Sequence, residues 1–240
     1  MKQLKQSLFI TLALAILLDG APVRAASIPA HIEVKYRVSM GSMKIGEGLD
    51  VFEHDSKNYT VVSESKTAGL AAILYPLNLR REAKGRITRE GLRPRSFVES
   101  RNGKTTHSAL FDWEANEIEL SDGSEAKQTV PLPPNTWDAT SFAWNFAFFQ
   151  PGNKDLNINL TDGRRVTSYR YAIVGRETLK TVLGDFVTLH VKKVLEGDDK
   201  REFDVWLAIE RSYLPVRIRY TEKDGTAFDS VVEAINVLPH

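Results

Sequence analysis

No cysteine occurs anywhere in the 240 residues. That excludes a disulfide framework even for an exported chain. It also excludes a thiol nucleophile and a lipid-carrying cysteine of the lipoprotein kind. Net charge is almost absent as well: 32 Lys and Arg oppose 31 Asp and Glu, for a formal +1, which leaves no electrostatic footprint for nucleic acid. Histidine is sparse, and His31, His54, His107, His190 and His240 stand at no recognised metal-binding spacing. No metal or cofactor is therefore expected. The G-x-S-x-G nucleophile motif is missing too. A triad of a distant Ser with His107 or His190 and Asp138 stays open, because triads are defined by geometry rather than spacing. No catalytic residue is nominated, and a non-enzymatic protein is expected. Gly197-Asp198-Asp199 lacks the oxygen-ligand series of a calcium loop and reads as a hairpin turn.

What is present begins with Lys2 and Lys5, followed by an uncharged run from Gln6 to Leu18. A basic start, a short apolar core and small residues at Val23 and Ala25 form a signal-peptide layout. Leu8 to Leu18 falls well short of the roughly 20 residues that span a bilayer. The expectation is cleavage after Ala25, a periplasmic location, and a mature form without a transmembrane span. Residues 26–240 then form a single domain, since neither a long linker nor a repeat interrupts them.

Ile32, Val34, Tyr36 and Val38 alternate with Glu33, Lys35, Arg37 and Ser39, the period of a strand with one buried face. Rougher versions recur along the chain. Asn102-Gly103, Asp122-Gly123, Asp162-Gly163 and Asp224-Gly225 supply hairpin turns between them. A large, meandering antiparallel sheet is predicted.

Two segments break the rhythm. From Asp138 to Phe149 the spacing predicts a helix, capped by Asp138, stopped at Pro151-Gly152, and apolar except for a stripe of Asp138, Ser141 and Asn145. A helix so apolar must be buried on most of its circumference, so the sheet is expected to wrap around it, with Phe142, Phe146, Phe149 and Trp144 covered. The second segment, Thr67 to Leu79, carries no charge. It reads either as a short helix and strand edge in the core or as a flap over an apolar cavity. On the flap reading Leu70, Ile73, Leu74 and Tyr75 line a ligand site with Phe142 and Phe146, and Arg80 and Arg81 select a polar headgroup at its rim.

Charge is segregated along the chain. Arg80, Arg81, Lys84, Arg86, Arg89, Arg93, Arg95, Arg101 and Lys104 dominate one stretch, and Asp112, Glu114, Glu117, Glu119, Asp122 and Glu125 the next. Adjacent strands could pair these charges. Alternatively the basic strip faces an anionic group.

Several stretches together resemble an exported Gram-negative family, domain of unknown function 3108. They are Tyr36 to Gly48 with Lys44-Ile45-Gly46, Gly91-Leu92-Arg93-Pro94, Phe111-Asp112, Trp137-Asp138-Ala139-Thr140-Ser141, Trp206-Leu207-Ala208 and Tyr213-Leu214-Pro215-Val216-Arg217-Ile218. The resemblance implies an incomplete antiparallel barrel around a helix, similar in outline to periplasmic lipoprotein carriers of the LolA and LolB type. It implies no activity. The fold expected is thus mainly β, one curved incomplete β-barrel wrapped on an aromatic-rich helix. The function expected is a soluble carrier for an apolar, acyl-chain-like ligand such as a lipid. The alternative is a structural or protein-interaction component of the cell envelope, with a dry, filled barrel and an envelope protein as partner.

Overall fold

The computed structural model describes residues 28–124, 126–149, 152 and 154–238. The expected signal peptide, its cleavage site and Pro151 lie outside the described residues. The first half of the chain forms strands β1 (His31–Met40), β2 (Met43–His54) and β3 (Asn58–Thr67), helix α1 (Leu70–Leu74), and strands β4 (Asn78–Thr88), β5 (Gly91–Arg101), β6 (Lys104–Asp112), β7 (Glu117–Ser121) and β8 (Lys127–Pro131). The second half forms β9 (Thr136–Asp138), helix α2 (Phe142–Asn145), then β10 (Leu156–Thr161), β11 (Val166–Thr181), β12 (Gly184–Lys193), β13 (Glu202–Ala208), β14 (Leu214–Thr221) and β15 (Ala227–Leu238).

All fifteen strands join one sheet, in the order β8 to β1, then β15 back to β9. Every neighbour is antiparallel except β9 and β10, which run parallel. Turn chemistry explains the meander: at Asn102-Gly103, for example, both residues have positive φ, 49° and 80°, as a two-residue hairpin of the favoured twist requires.

The chain starts in the middle of this sheet, walks out to the β8 edge, and re-enters at the β9 edge after only Leu132 to Asn135. Five peptide steps span at most about 17 Å. The edges of a flat sheet of this size would lie about 65 Å apart. The short link therefore dictates that the sheet roll up. Val166 of β11 accordingly packs with Phe97, Ala109, Phe111, Ile118 and Leu120 of β5 to β7, and a Cβ on Gly163 would meet His107 of β6 at 2.9 Å.

The barrel interior holds the segment between β9 and β10. The expected helix over Asp138 to Phe149 is corrected here: the α-helix covers Phe142–Asn145 alone. Asp138 ends β9 and caps the turn before α2, accepting hydrogen bonds from the backbone N–H of Thr140 (2.9 Å) and Ser141 (2.8 Å) and from the Ser141 hydroxyl. After α2 the backbone continues in mixed turns, Phe149 N–H reaching the Asn145 carbonyl at 2.7 Å and Ala147 N–H that of Trp144 at 3.1 Å. Large aromatics must reach opposite walls of the barrel from a few consecutive positions. Packing against those walls outweighs the weak helix preference of the Phe-rich sequence.

Candidate functional site

The inside of the barrel is the first place to look for a ligand. Phe142, Trp144 and Phe146 are 0–2 % exposed. Trp144 stacks on Phe52 of β2 with ring centres 5.0 Å apart. Phe142 meets Tyr171 of β11 at 4.7 Å and Phe203 of β13 at 5.5 Å. Phe146 stands edge-on to Trp137 at 6.0 Å, and Phe149 is half-buried beside it. The polar stripe read from the sequence is buried too, with the Asn145 Nδ2 left without a hydrogen-bond partner among the described residues. The Asn145 Oδ1 accepts the Leu92 N–H of β5 at 2.7 Å, so it ties the segment to the sheet.

Register places the second predicted segment at the opposite end of the strands. Met40 pairs with Met43, Gly46 with Thr67, Lys66 with Asn78, and Arg101 with Lys104. The turns of β1–β2, β3–β4 and β5–β6 therefore sit together at one end. The aromatic segment instead packs toward the other end, against His54 and Gly91. Strands of about ten residues put some 30 Å between these ends. Leu70, Ile73, Leu74 and Tyr75 are 71–77 % exposed and share no cavity with Phe142 and Phe146. The site composed of all six is corrected accordingly, and Thr67 to Leu79 is neither core nor a flap closed on the aromatic segment.

Arg80 and Arg81 do not act as a pair either, because successive residues of a strand point to opposite faces. Arg80 lies on the outer face with Glu82 (2.7 Å) and Glu64 (3.5 Å). Arg81 shares the inner face with buried Ala83, and its Nε donates to Glu99 Oε2 at 2.8 Å. Arg101 adds a second bond to Glu99 at 3.2 Å, and the Thr106 hydroxyl a third at 3.2 Å. Burial would raise the Glu99 carboxyl, but the two guanidinium groups outweigh it and hold it down at about 2.

A polar row thus crosses the inner face. Asp50 pairs with Ser63, Ser63 with Arg81, Arg81 with Glu99 and Glu99 with His107 in register. Asp50 is buried and its carboxyl is raised by that burial, although the Ser63, Trp144 and Tyr36 side chains that donate toward it offset part of the rise. Asp138 is raised for the same reason. The row arises because Gly46, Gly48, Ser63 and Ser65 supply small inward groups where other strands carry Val or Phe, a feature that single-strand periodicity does not reveal.

The remaining basic strip lines a groove of 660 Å³. Arg86, Arg93 and Arg95 form one wall, and Asp112, Glu114, Glu117 and Glu119 the other, with Trp113 between them. Arg93 lies over the Trp113 ring at 4.4 Å. The two charge blocks thus face each other across a groove, while Arg81 and Arg101 pair locally with Glu99. A smaller cavity of 300 Å³ follows the seam between β8 and the β10–β11 hairpin. Neither contains any of the eight predicted ligand residues. Asp199, in the turn at Gly197-Asp198-Asp199, is held by Lys193 (2.7 Å) and Arg201 (2.9 Å).

Comparison with known proteins agrees with the architecture. The model of the family described as Protein of unknown function (DUF3108) matches residues 35–231. No curated protein matches. Among solved structures, a β-barrel-like protein of domain of unknown function DUF1849 from Brucella abortus superposes with a TM-score of 0.58 at 11 % identity, covering 88 % of this chain and 99 % of that one. It shares the fold. The Pseudomonas aeruginosa MucA/MucB complex aligns over 86 % of this chain and 51 % of that one, at 10 % identity and a TM-score of 0.29, too loose a likeness to carry an argument.

Proposed function

The chain belongs to the DUF3108 family, and we propose that it is a non-enzymatic component of the cell envelope that works through contacts made by its outer surface. The observation that carries this reading is the burial of the aromatic segment: Phe142, Trp144 and Phe146 are packed against the inner face of the sheet, where an acyl chain would need open volume. An internal carrier would need open apolar volume for its cargo, since ligand sites in general are concave and largely preformed. Here the inner face runs from Asp50, which meets Trp144 of the aromatic segment, through Ser63 and Arg81 to Glu99, a polar row that suits water better than hydrocarbon. Export to the periplasm, with cleavage after Ala25, belongs to the same reading and is supported by the basic start and short apolar core of the leader.

Native mass spectrometry of the protein recovered from its own compartment tests this. A barrel without cargo gives the mass of the processed polypeptide alone. A stoichiometric lipid adduct that survives gentle activation would overturn the surface reading in favour of an internal carrier.

A further inference from the structure

Helix α1 inverts the usual logic of an amphipathic helix. Leu70, Ile73 and Leu74 stand at i, i+3 and i+4 and so share one face. That face points to solvent, while Ala71 and Ala72 are half-buried on the other. Tyr75, Leu77, Met40 and Met43 extend the exposed apolar surface. Isolated exposed apolar residues need no explanation, but a contiguous group of this size marks an interaction site.

The tip is not a loose loop. The Thr67 hydroxyl donates to the Tyr75 carbonyl at 3.0 Å and accepts the Leu77 N–H at 3.0 Å. Ala68 N–H reaches the Ile45 carbonyl on the neighbouring hairpin at 2.9 Å. On the other side Asn102 bonds to Asn78 and, at 3.3 Å, to the Pro76 carbonyl. Three adjacent hairpin tips, residues 40–44, 66–80 and 101–104, are thereby fastened into one convex platform whose apolar side chains are held outward.

Charge identifies what that platform meets. The three tips contain Lys44, Lys66, Arg80, Arg101 and Lys104 and no acidic residue. The carboxylates that pair with four of these, Glu47, Glu64, Glu82 and Glu99, lie farther down the strands. Tips elsewhere at the same end mix the two signs: Asp122 is followed by Lys127, Asp162 by Arg164 and Arg165, Glu196, Asp198 and Asp199 by Lys200 and Arg201, and Glu222 and Asp224 flank Lys223. The end of the barrel therefore has one side that is apolar and ringed by cations alone, while its other side is mixed in charge.

We propose that the platform formed by α1 and the flanking hairpin tips docks on a lipid surface bearing anionic headgroups. Leu70, Ile73 and Leu74 enter the boundary of the acyl chains, Tyr75 sits at headgroup depth, and Lys44, Lys66 and Lys104 face the phosphates. A convex aliphatic prong suits a deformable lipid phase, whereas a protein partner would have to supply a matching pocket. The mixed-charge tips offer no comparable attraction, so the barrel docks with the platform side toward the lipid. The assignment rests on the reading that the protein works through its outer surface, and it names the partner of that surface.

The test is co-sedimentation of the protein, as exported and recovered in soluble form, with sucrose-loaded vesicles of phosphatidylcholine containing phosphatidylglycerol or of phosphatidylcholine alone. Binding is expected to the anionic vesicles, weakening as salt screens the cations. Combining Leu70→Ser, Ile73→Ser and Leu74→Ser should lower the apparent affinity at least about tenfold, with unchanged circular dichroism and melting temperature. Combining Lys66→Glu with Lys104→Glu should remove most of the salt dependence. Equal binding by wild type and the serine variant, no binding by the folded wild type, or equal binding to both vesicle types would overturn the assignment. So would a wild-type dimer in sedimentation velocity that the serine variant abolishes without any vesicle binding, since the occupant would then be a second copy. An internal lipid adduct would instead strike the reading of a barrel without cargo and leave the vesicle result to stand.

Discussion

Phe146 has no exposed surface and two aromatic rings, Trp137 and Phe142, edge-on around it, which makes it the sharpest probe of the packed interior. Phe146→Ala should cost about 3–5 kcal/mol in denaturant unfolding, and a loss below about 1 kcal/mol would place the side chain outside the core. Glu99 probes the polar row. Its carboxyl is held at about 2 in the folded protein against an ordinary 4.5, so the folded state binds its proton less tightly than the unfolded state. The stability it contributes is present above pH 4.5 and disappears as pH falls toward 2. Glu99→Gln is therefore expected to lose about 1–2 kcal/mol at pH 7, less than a fully buried pair because both arginines are partly solvated. The gap between wild type and variant should close on acidification through that window. A gap independent of pH would assign the loss to packing rather than charge. Asp50 and Asp138, raised by burial, pull the other way: their contribution falls as pH rises above the ordinary 3.8.

Strands were more legible than the aromatic segment because a strand's pattern is set by which face meets the core, while that segment's conformation is set by everything around it. Ile32, Val34 and Tyr36 do point inward, at 0–6 % exposure. The stripe of Asp138, Ser141 and Asn145 was visible as helical spacing. Its actual roles are a local turn cap by Asp138 and a tether from Asn145 to β5, the latter depending on a partner 53 residues away. Thr67 to Leu79 does contain a short helix and a strand edge, but they lie outside the core for a related reason. Absence of charge indicates burial against something, and within one chain the only available something was the core. Gly91 reports on the tether. Its φ is +111°, and a Cβ there would lie 2.3 Å from the Asn145 Oδ1. Gly91→Ala should therefore destabilise by about 1–3 kcal/mol through backbone strain and displaced Asn145. If thermal unfolding of that variant matched wild type, the close contact between β5 and the aromatic segment would be contradicted.

At the scale of the whole molecule, the short link from Pro131 to Thr136 converts a sequential meander into a rolled sheet, and the residues after it enter what the roll encloses. The aromatic segment thus occupies one part of the interior, and further distinctive chemistry lies on the outside: a cation-ringed apolar platform at one end and an arginine-walled groove on the flank. Fold class and the existence of two anomalous segments followed from the sequence. The distance between those segments did not, since only the pairing register assigns them to opposite ends. The central claim is that apolar chemistry acts at the surface and not in the interior. It is tested most directly by titrating a monomeric fluorescent long-chain fatty acid into the variant carrying Leu70→Ser, Ile73→Ser and Leu74→Ser, in which the outer apolar face is gone and the interior is intact. The account predicts no saturable binding. Saturable one-to-one binding with the blue-shifted emission of an enclosed apolar site would contradict it.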